Sequence, residues 1–386
     1  MLDIFWGYNI GSKWRRISMK TLFASDLREG MVTGADTYTD QGYLVVPKNT
    51  ILTKNLITRI INNNVLTVEI TGEEIVSKKP EESENKLLLT GDFVNISKSV
   101  DTTTKQYQMF KKAYDNNIEN LSDKINDVVY KNAPIDVDDM LENTLEIVKS
   151  TNSPLSIFTM LSTLKNYDDS TFNHSLNVSL ICNIFGHWLN LSEKDIELLT
   201  ACGLFHDIGK LLIPQEIIKK PGKLTDEEFA IIKTHPKKGY DLLKTKNVDI
   251  HIQMAALMHH EKCDGSGYPM RLTGDKIDWC AKIVTIADIY EAMTAKRVYR
   301  GPLSPFKVIS MFEDDGLKKY EPHYILTFLE HVVNSYVNCR VKLSNGAEGD
   351  VIFINKVNLS KPLIKTSDNN FIDLSKTNDI SIESIL

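Results

Sequence analysis

The chain has no run approaching the ~18 consecutive apolar residues that a membrane helix needs, and its start, MLDIFWGYNIGSKWRR, lacks the order of a signal peptide. Both absences point to a cytoplasmic protein without membrane insertion. Cysteine is scarce: Cys182, Cys202, Cys263, Cys280 and Cys339 are odd in number and form no C-x-x-C pair, which argues against a disulfide framework and against a cysteine zinc site. Any metal is then held by histidine and carboxylate. Positive charge is not in excess either, with 45 Lys+Arg against 51 Asp+Glu for a net charge of −6. The broad basic surface required by long nucleic acids is therefore missing, although a few local cations can still hold a small anion. There is no repeat of fixed period, which excludes a solenoid.

What is present is ordinary globular composition over 386 residues, enough for two or three domains. Residues 1–18 read as a loose tail. From Thr21 to about Thr71, MVTGADTY, GYLVVPKN and VLTVEI have strand composition and NLITRIINNN reads as a short helix, giving a small α+β unit. Charged, Pro-interrupted residues follow as a linker, so the N-terminal domain with its linker is assigned to 19–100. Apolar spacing of three and four then dominates to about Ser335, which assigns one helical domain to 101–337. Its first amphipathic stretch, Thr104 to Val129, is read as a helix packing on its own core, with a homodimer helix as the alternative. A small β segment at 338–386 closes the chain, with Asn345-Gly346 as a hairpin signal. The fold class is mainly α, flanked by the α+β domain and the β tail.

Most of the nine histidines lie between 174 and 260. In the helix expected from Thr171 to Asn190, His174 shares an apolar face with Val178, Ile181 and Phe185 and points inward. A lone histidine there is more often a satisfied core residue than a ligand. In ACGLFHDIGKL, adjacent His206 and Asp207 end a helix and can aim two donors at one point, and Gly209 lets the chain turn before Lys210. A surface pair is the alternative, but the small apolar residues before it make a buried aspartate costly without a cation, which favours a metal. His235 follows, then His259-His260, then Asp288 among Ile283, Ile286, Ala287 and Ile289. Five histidines and two aspartates form a donor set suited to Fe, Mn or Zn. CDGSGYP reads as a loop, and Arg297 and Arg300 as a phosphate clamp or a solvated helix face.

In this order, His174-Ser175, His206 to Lys210, Gly222 to Thr225 with His235-Pro236 and Gly239, His259 to Pro269, and Ala287 to Ala292 resemble the HD-GYP family, a branch of the HD superfamily of metal-dependent phosphohydrolases. The resemblance covers about residues 140–335. It implies an all-helical HD-type domain that hydrolyses cyclic di-GMP to pGpG, and potentially on to GMP, by attack of a metal-bridging hydroxide on phosphorus. It further implies that His174, His206, Asp207, His235, His259, His260 and Asp288 bind two divalent transition metals, Fe or Mn, with Asp207 as bridge. Lys210, Arg297 and Arg300 match phosphate-facing positions. Asp264, Gly265, Gly267, Tyr268 and Pro269 match the signature loop, which shapes the substrate site and is associated with protein partners.

Two positions depart from the family pattern. A glutamate four residues before the first histidine supports a third metal in some members. Here that position is Ser170, beside Asp169, so a dinuclear site is expected. Arg297-Val298-Tyr299-Arg300 replaces an Arg-Pro-Tyr-Arg run, keeping the cations while altering the backbone restraint. Alternatives are a phosphodiesterase for another cyclic dinucleotide such as cyclic GMP-AMP, a nucleotide-polyphosphate hydrolase, which the GYP loop disfavours, and a non-catalytic dinucleotide receptor or adaptor.

Overall fold

The computed structural model describes residues 19–24, 27–38, 44–53, 56–57, 60, 65, 67–71, 104–151, 157–158, 160–161, 164, 170–295, 301–315, 318–377 and 379–386. The tail at 1–18, the linker at 72–100, Asp169, Arg297 and Arg300 lie outside the described residues. The chain divides into two compact units, Met1–Asp92 and Phe93–Leu386.

In the first unit, β1 (Met19–Phe23), β2 (Val32–Thr33) and β5 (Thr67–Thr71) form an antiparallel sheet in the order β1-β5-β2. A separate pair joins β3 (Thr37–Tyr38) to β4 (Leu44–Val46). Alternation puts Val68 and Ile70 on the inner face of β5, where they meet Val45, Val46, Leu52 and Ile60. β1 carries little alternation in MKTLF and acquires strand form by pairing along β5, from Met19 opposite Thr71 to Phe23 opposite Thr67.

The second unit is mainly α. Helices whose bounds lie among the described residues are α1 (Lys105–Tyr130), α2 (Val137–Lys149), α3 (Thr171–Trp188), α4 (Glu193–Phe205), α5 (Gln215–Ile218), α6 (Asp226–Ile232), α7 (His235–Thr245), α8 (Ile250–Met258), α9 (Trp279–Thr294), α10 (Pro305–Asp315) and α11 (Pro322–Asn334). A 3-10 turn at Ile208–Leu212 follows α4. Caps fix several starts, because the first amides of a helix lack internal partners. Thr104 Oγ1 accepts from Tyr107 N on α1, Ser170 Oγ from Asn173 N on α3, and Thr225 and Glu228 form a reciprocal capping box on α6. α3 stops short of the expected Asn190, which takes a left-handed φ of 53°.

α1 buries Tyr107, Phe110, Tyr114, Leu121, Ile125 and Val128 in the unit's own core, along the spacing that made it amphipathic. α3 and α9 are buried on nearly all sides and form the centre of that core. The closing sheet has the order β10-β6-β7-β8-β9, with β6 (Arg340–Leu343), β7 (Glu348–Phe353), β8 (Leu363–Thr366), β9 (Phe371–Asp373) and β10 (Ile382–Ile385). Gly346, at φ 84°, turns the β6–β7 hairpin. Val341, Leu343, Val351, Ile364 and Ile382 belong to the same apolar cluster as the helices. No helix among the described residues is long and apolar enough to cross a membrane.

Candidate metal centre

Five helices bring seven side chains to one interior point. His174 lies in the first turn of α3, His206 caps the end of α4 with Asp207 beside it, and His235 opens α7. His259 caps the end of α8, His260 follows, and Asp288 lies midway along α9. The donors form two groups, His174/His206/Asp288 and Asp207/His235/His259/His260, each with its ligand atoms within 4.8 Å of one another. Asp207 faces both. Its Oδ2 lies 3.3 Å from His174 Nε2 and 3.5 Å from His206 Nε2, while its Oδ1 lies 3.2 Å from His235 Nε2 and 3.5 Å from His259 Nε2. Asp288 reaches His174 Nε2 at 3.0 Å through Oδ1 and His260 Nδ1 at 4.0 Å through Oδ2.

The backbone assigns the ring tautomers. His206 Nδ1 is 2.7 Å from the Gly203 carbonyl, His235 Nδ1 is 2.8 Å from that of Ile232, and His259 Nδ1 is 3.0 Å from that of Ala255. A carbonyl only accepts, so each Nδ1 donates and each Nε2 turns a lone pair inward. Burial favours the neutral ring and lowers the proton affinity of His235, His259 and, most strongly, His260, where His259 adds to the effect. Burial alone would raise the Asp207 carboxyl, but Lys210, His206 and His174 outweigh it and hold it well below the usual carboxylate range. The Asp288 carboxyl is held low against burial chiefly by His174.

This arrangement fits two cations. His235 Nε2 and His259 Nε2 are 3.2 Å apart with both lone pairs inward, a contact that a shared cation makes favourable. His206 Nε2 and Asp207 Oδ1 are buried without a hydrogen-bond partner. Such orphaned atoms are costly unless something binds them. Ser170, at the third-metal position, is occupied as the α3 cap.

Around the ligands, Lys210 Nζ pairs with Asp207 Oδ2 at a partly open rim. The Tyr268 ring stacks on His260 at 4.6 Å, and Tyr268 N donates to the His260 carbonyl. Gly267 is where the loop folds back onto itself, since a Cβ there would lie 2.4 Å from Glu261 Cα. Gly265 has φ 78°, Pro269 is exposed, and Asp264 is exposed with Oδ1 accepting from Ser266 N and Oγ. The structure thus brings the seven predicted ligands, Lys210 and Tyr268 together, whereas the Asp264 carboxylate is engaged within its own loop.

Sequence reasoning missed two buried acids. Glu261 clamps the loop, accepting from Met270 N at 2.6 Å and from Leu272 N at 2.9 Å. Glu291 lies one helical turn after Asp288 and places Oε2 2.5 Å from His174 Nδ1. A second carboxylate at i+3 in the same apolar helix was the available signal. His251, Asp278 and Cys280 form a third group, but Asp278 there caps α9 and pairs with His251 Nδ1 at 2.7 Å.

An all-helical scaffold carrying this His/Asp centre defines the HD class, and residues 139–323 match the HD domain family. All seven donors of the centre lie inside that match. A cyclic di-GMP phosphodiesterase of Pseudomonas aeruginosa is 32% identical over 226 residues, covering 58% of this chain and 53% of that protein. A 3′3′-cGAMP-specific phosphodiesterase of Vibrio cholerae is 32% identical over 192 residues, covering 49% of this chain and 36% of that protein. A cyclic di-GMP phosphodiesterase response regulator of Xanthomonas campestris is 39% identical over 125 residues, covering 32% of this chain and 33% of that protein. The chain spans between a third and about half of the length of these curated relatives.

Proposed function

We propose that the chain is a metal-dependent phosphodiesterase that hydrolyses cyclic di-GMP to pGpG and on to GMP, with Fe or Mn held by His174, His206, Asp207, His235, His259, His260 and Asp288. The observation that carries the reading is Asp207, buried and turning one oxygen to each donor group. Bound there, two divalent cations would acidify the attacking water and offset the charge of the phosphodiester.

The protein's own contribution is orientation and charge. The carbonyls behind His206, His235 and His259 hold the rings in the tautomer that ligation needs. Lys210, at the rim, is placed to neutralise a non-bridging phosphate oxygen as charge builds there. The loop at Tyr268, braced by Glu261, forms a rigid wall beside His260. In the reaction the water oxygen bonds to phosphorus, the bond from phosphorus to the 3′ oxygen breaks, and that oxygen leaves as the 3′ hydroxyl.

A second substrate, 3′3′-cyclic GMP-AMP, is favoured by the Vibrio cholerae relative, whose identity equals that of the Pseudomonas aeruginosa one. The test is turnover of each dinucleotide by anaerobically purified protein loaded with Mn²⁺ or Fe²⁺, with products resolved by chromatography and Asp207→Ala run beside it. Metal-dependent release of pGpG or GMP, lost in the variant, is expected. Two bound metals without turnover of either dinucleotide would overturn the enzyme reading in favour of a receptor.

A further inference from the structure

α1 supplies no ligand, yet it is joined to the metal centre by consecutive hydrogen bonds. Tyr114 Oη donates to Asn177 Oδ1 at 2.8 Å, and Asn177 Nδ2 donates to Glu291 Oε1 at 2.9 Å. Glu291 Oε2 then meets His174 Nδ1 at 2.5 Å, and His174 Nε2 faces Asp207 and Asp288. Tyr114, Glu291 and His174 are buried. Three helices, α1, α3 and α9, therefore meet in one polar path through the core.

The path has a direction. An amide can lie either way round, and the reversed Asn177 would set its oxygen against the Glu291 carboxylate. The Glu291 carboxylate, which only accepts, excludes that orientation, and the Tyr114 hydroxyl holds the amide in place by donating to Oδ1. Burial, followed by the charges of Glu291 and Asp115, keeps the phenol protonated and hence a donor. With Nδ2 committed to one Glu291 oxygen, the other is aimed at His174 Nδ1, and the ring's Nε2 is left for ligation. Outer hydrogen bonds of this kind fix ring orientation and raise ligand basicity.

We propose that Tyr114 and Asn177 are positioning residues that act through Glu291 on His174, so that α1 sets the cation affinity of the His174/His206/Asp288 group and not that of the His235/His259/His260 side. The inference rests on the metal-centre reading above. Its consequence is that the first helix of the second unit, remote in sequence from every ligand, controls one of two adjacent sites.

The test uses Mn²⁺ binding, counted from the signal of the free ion, in the full chain. With His235→Ala present, the remaining binding belongs to the His174 group, and adding Tyr114→Phe is expected to weaken it about tenfold, the lower end of outer-ligand effects. With His206→Ala present instead, Tyr114→Phe is expected to leave the remaining affinity unchanged. Asn177→Leu in the same two backgrounds is the second pair, to be used if a Tyr114→Phe protein does not fold. A general loosening of the core would weaken binding equally in both backgrounds, and that result, or no effect in either, overturns the proposal. A wild-type protein that binds no Mn²⁺ would overturn the metal-centre reading itself.

Discussion

Asp207 has no exposed surface and serves both donor groups, so Asp207→Ala should empty both together. Metal content is expected to fall from two ions per chain to fewer than one, measured by elemental analysis. Turnover should fall on the order of a thousandfold or more. Gly209 makes a different prediction. A Cβ at this position would lie 2.0 Å from the His235 carbonyl oxygen and 2.6 Å from Gly239 N, both backbone atoms with little room to yield. The residue therefore serves a close crossing of the 3-10 turn and α7, beyond the turn before Lys210 that its sequence position suggested. Gly209→Ala should cost about 3 kcal/mol, visible as a lowered midpoint in thermal unfolding, and should displace His235. The seven residues that the structure gathers were legible as candidate ligands because histidine beside aspartate, and aspartate inside an apolar helix, are costly without a partner. Glu291 and Tyr114 were not, since their meaning lies in which atoms they face across the core.

At the scale of elements, the signature loop is held by its neighbour Glu261 more than by its own sequence. Both Glu261 oxygens are engaged by loop amides, with the carboxylate nearly sealed from water. Hydrogen bonds to a charged group contribute about 1.5–3 kcal/mol each. Glu261→Ala should release the loop, and the amides of Met270 and Leu272 should then exchange faster by at least an order of magnitude, measured by hydrogen exchange. Helix periods were readable over most of the second unit. The strands β1 and β10 were not read, because each is short and takes its form from the strand it pairs with.

At the scale of the molecule, the closing sheet shares its apolar cluster with the helices. Removing residues 338–386 would uncover Tyr336 and the α10 face while deleting Val341, Leu343, Val351 and Ile364. The shortened chain is expected to unfold at a lower temperature than the full chain and to aggregate. Metal should act on the whole second unit as well. A cation that binds only the folded centre stabilises it by about 2.7 kcal/mol at a hundred times its dissociation constant. Chelator-treated protein should therefore melt below Mn²⁺-loaded protein, and Asp207→Ala should show little of that difference.

The amino-acid sequence by itself determined the helical class and the strand-rich ends and singled out seven candidate donors, because periodicity and the cost of burying charge are local properties of residue order. Only the tertiary structure decided how those donors divide into two groups, which ring nitrogen of each histidine turns inward, and that α1 reaches His174 through Asn177 and Glu291. Those facts depend on distances between residues up to 117 positions apart, and such distances exist only once α1, α3 and α9 have packed against one another.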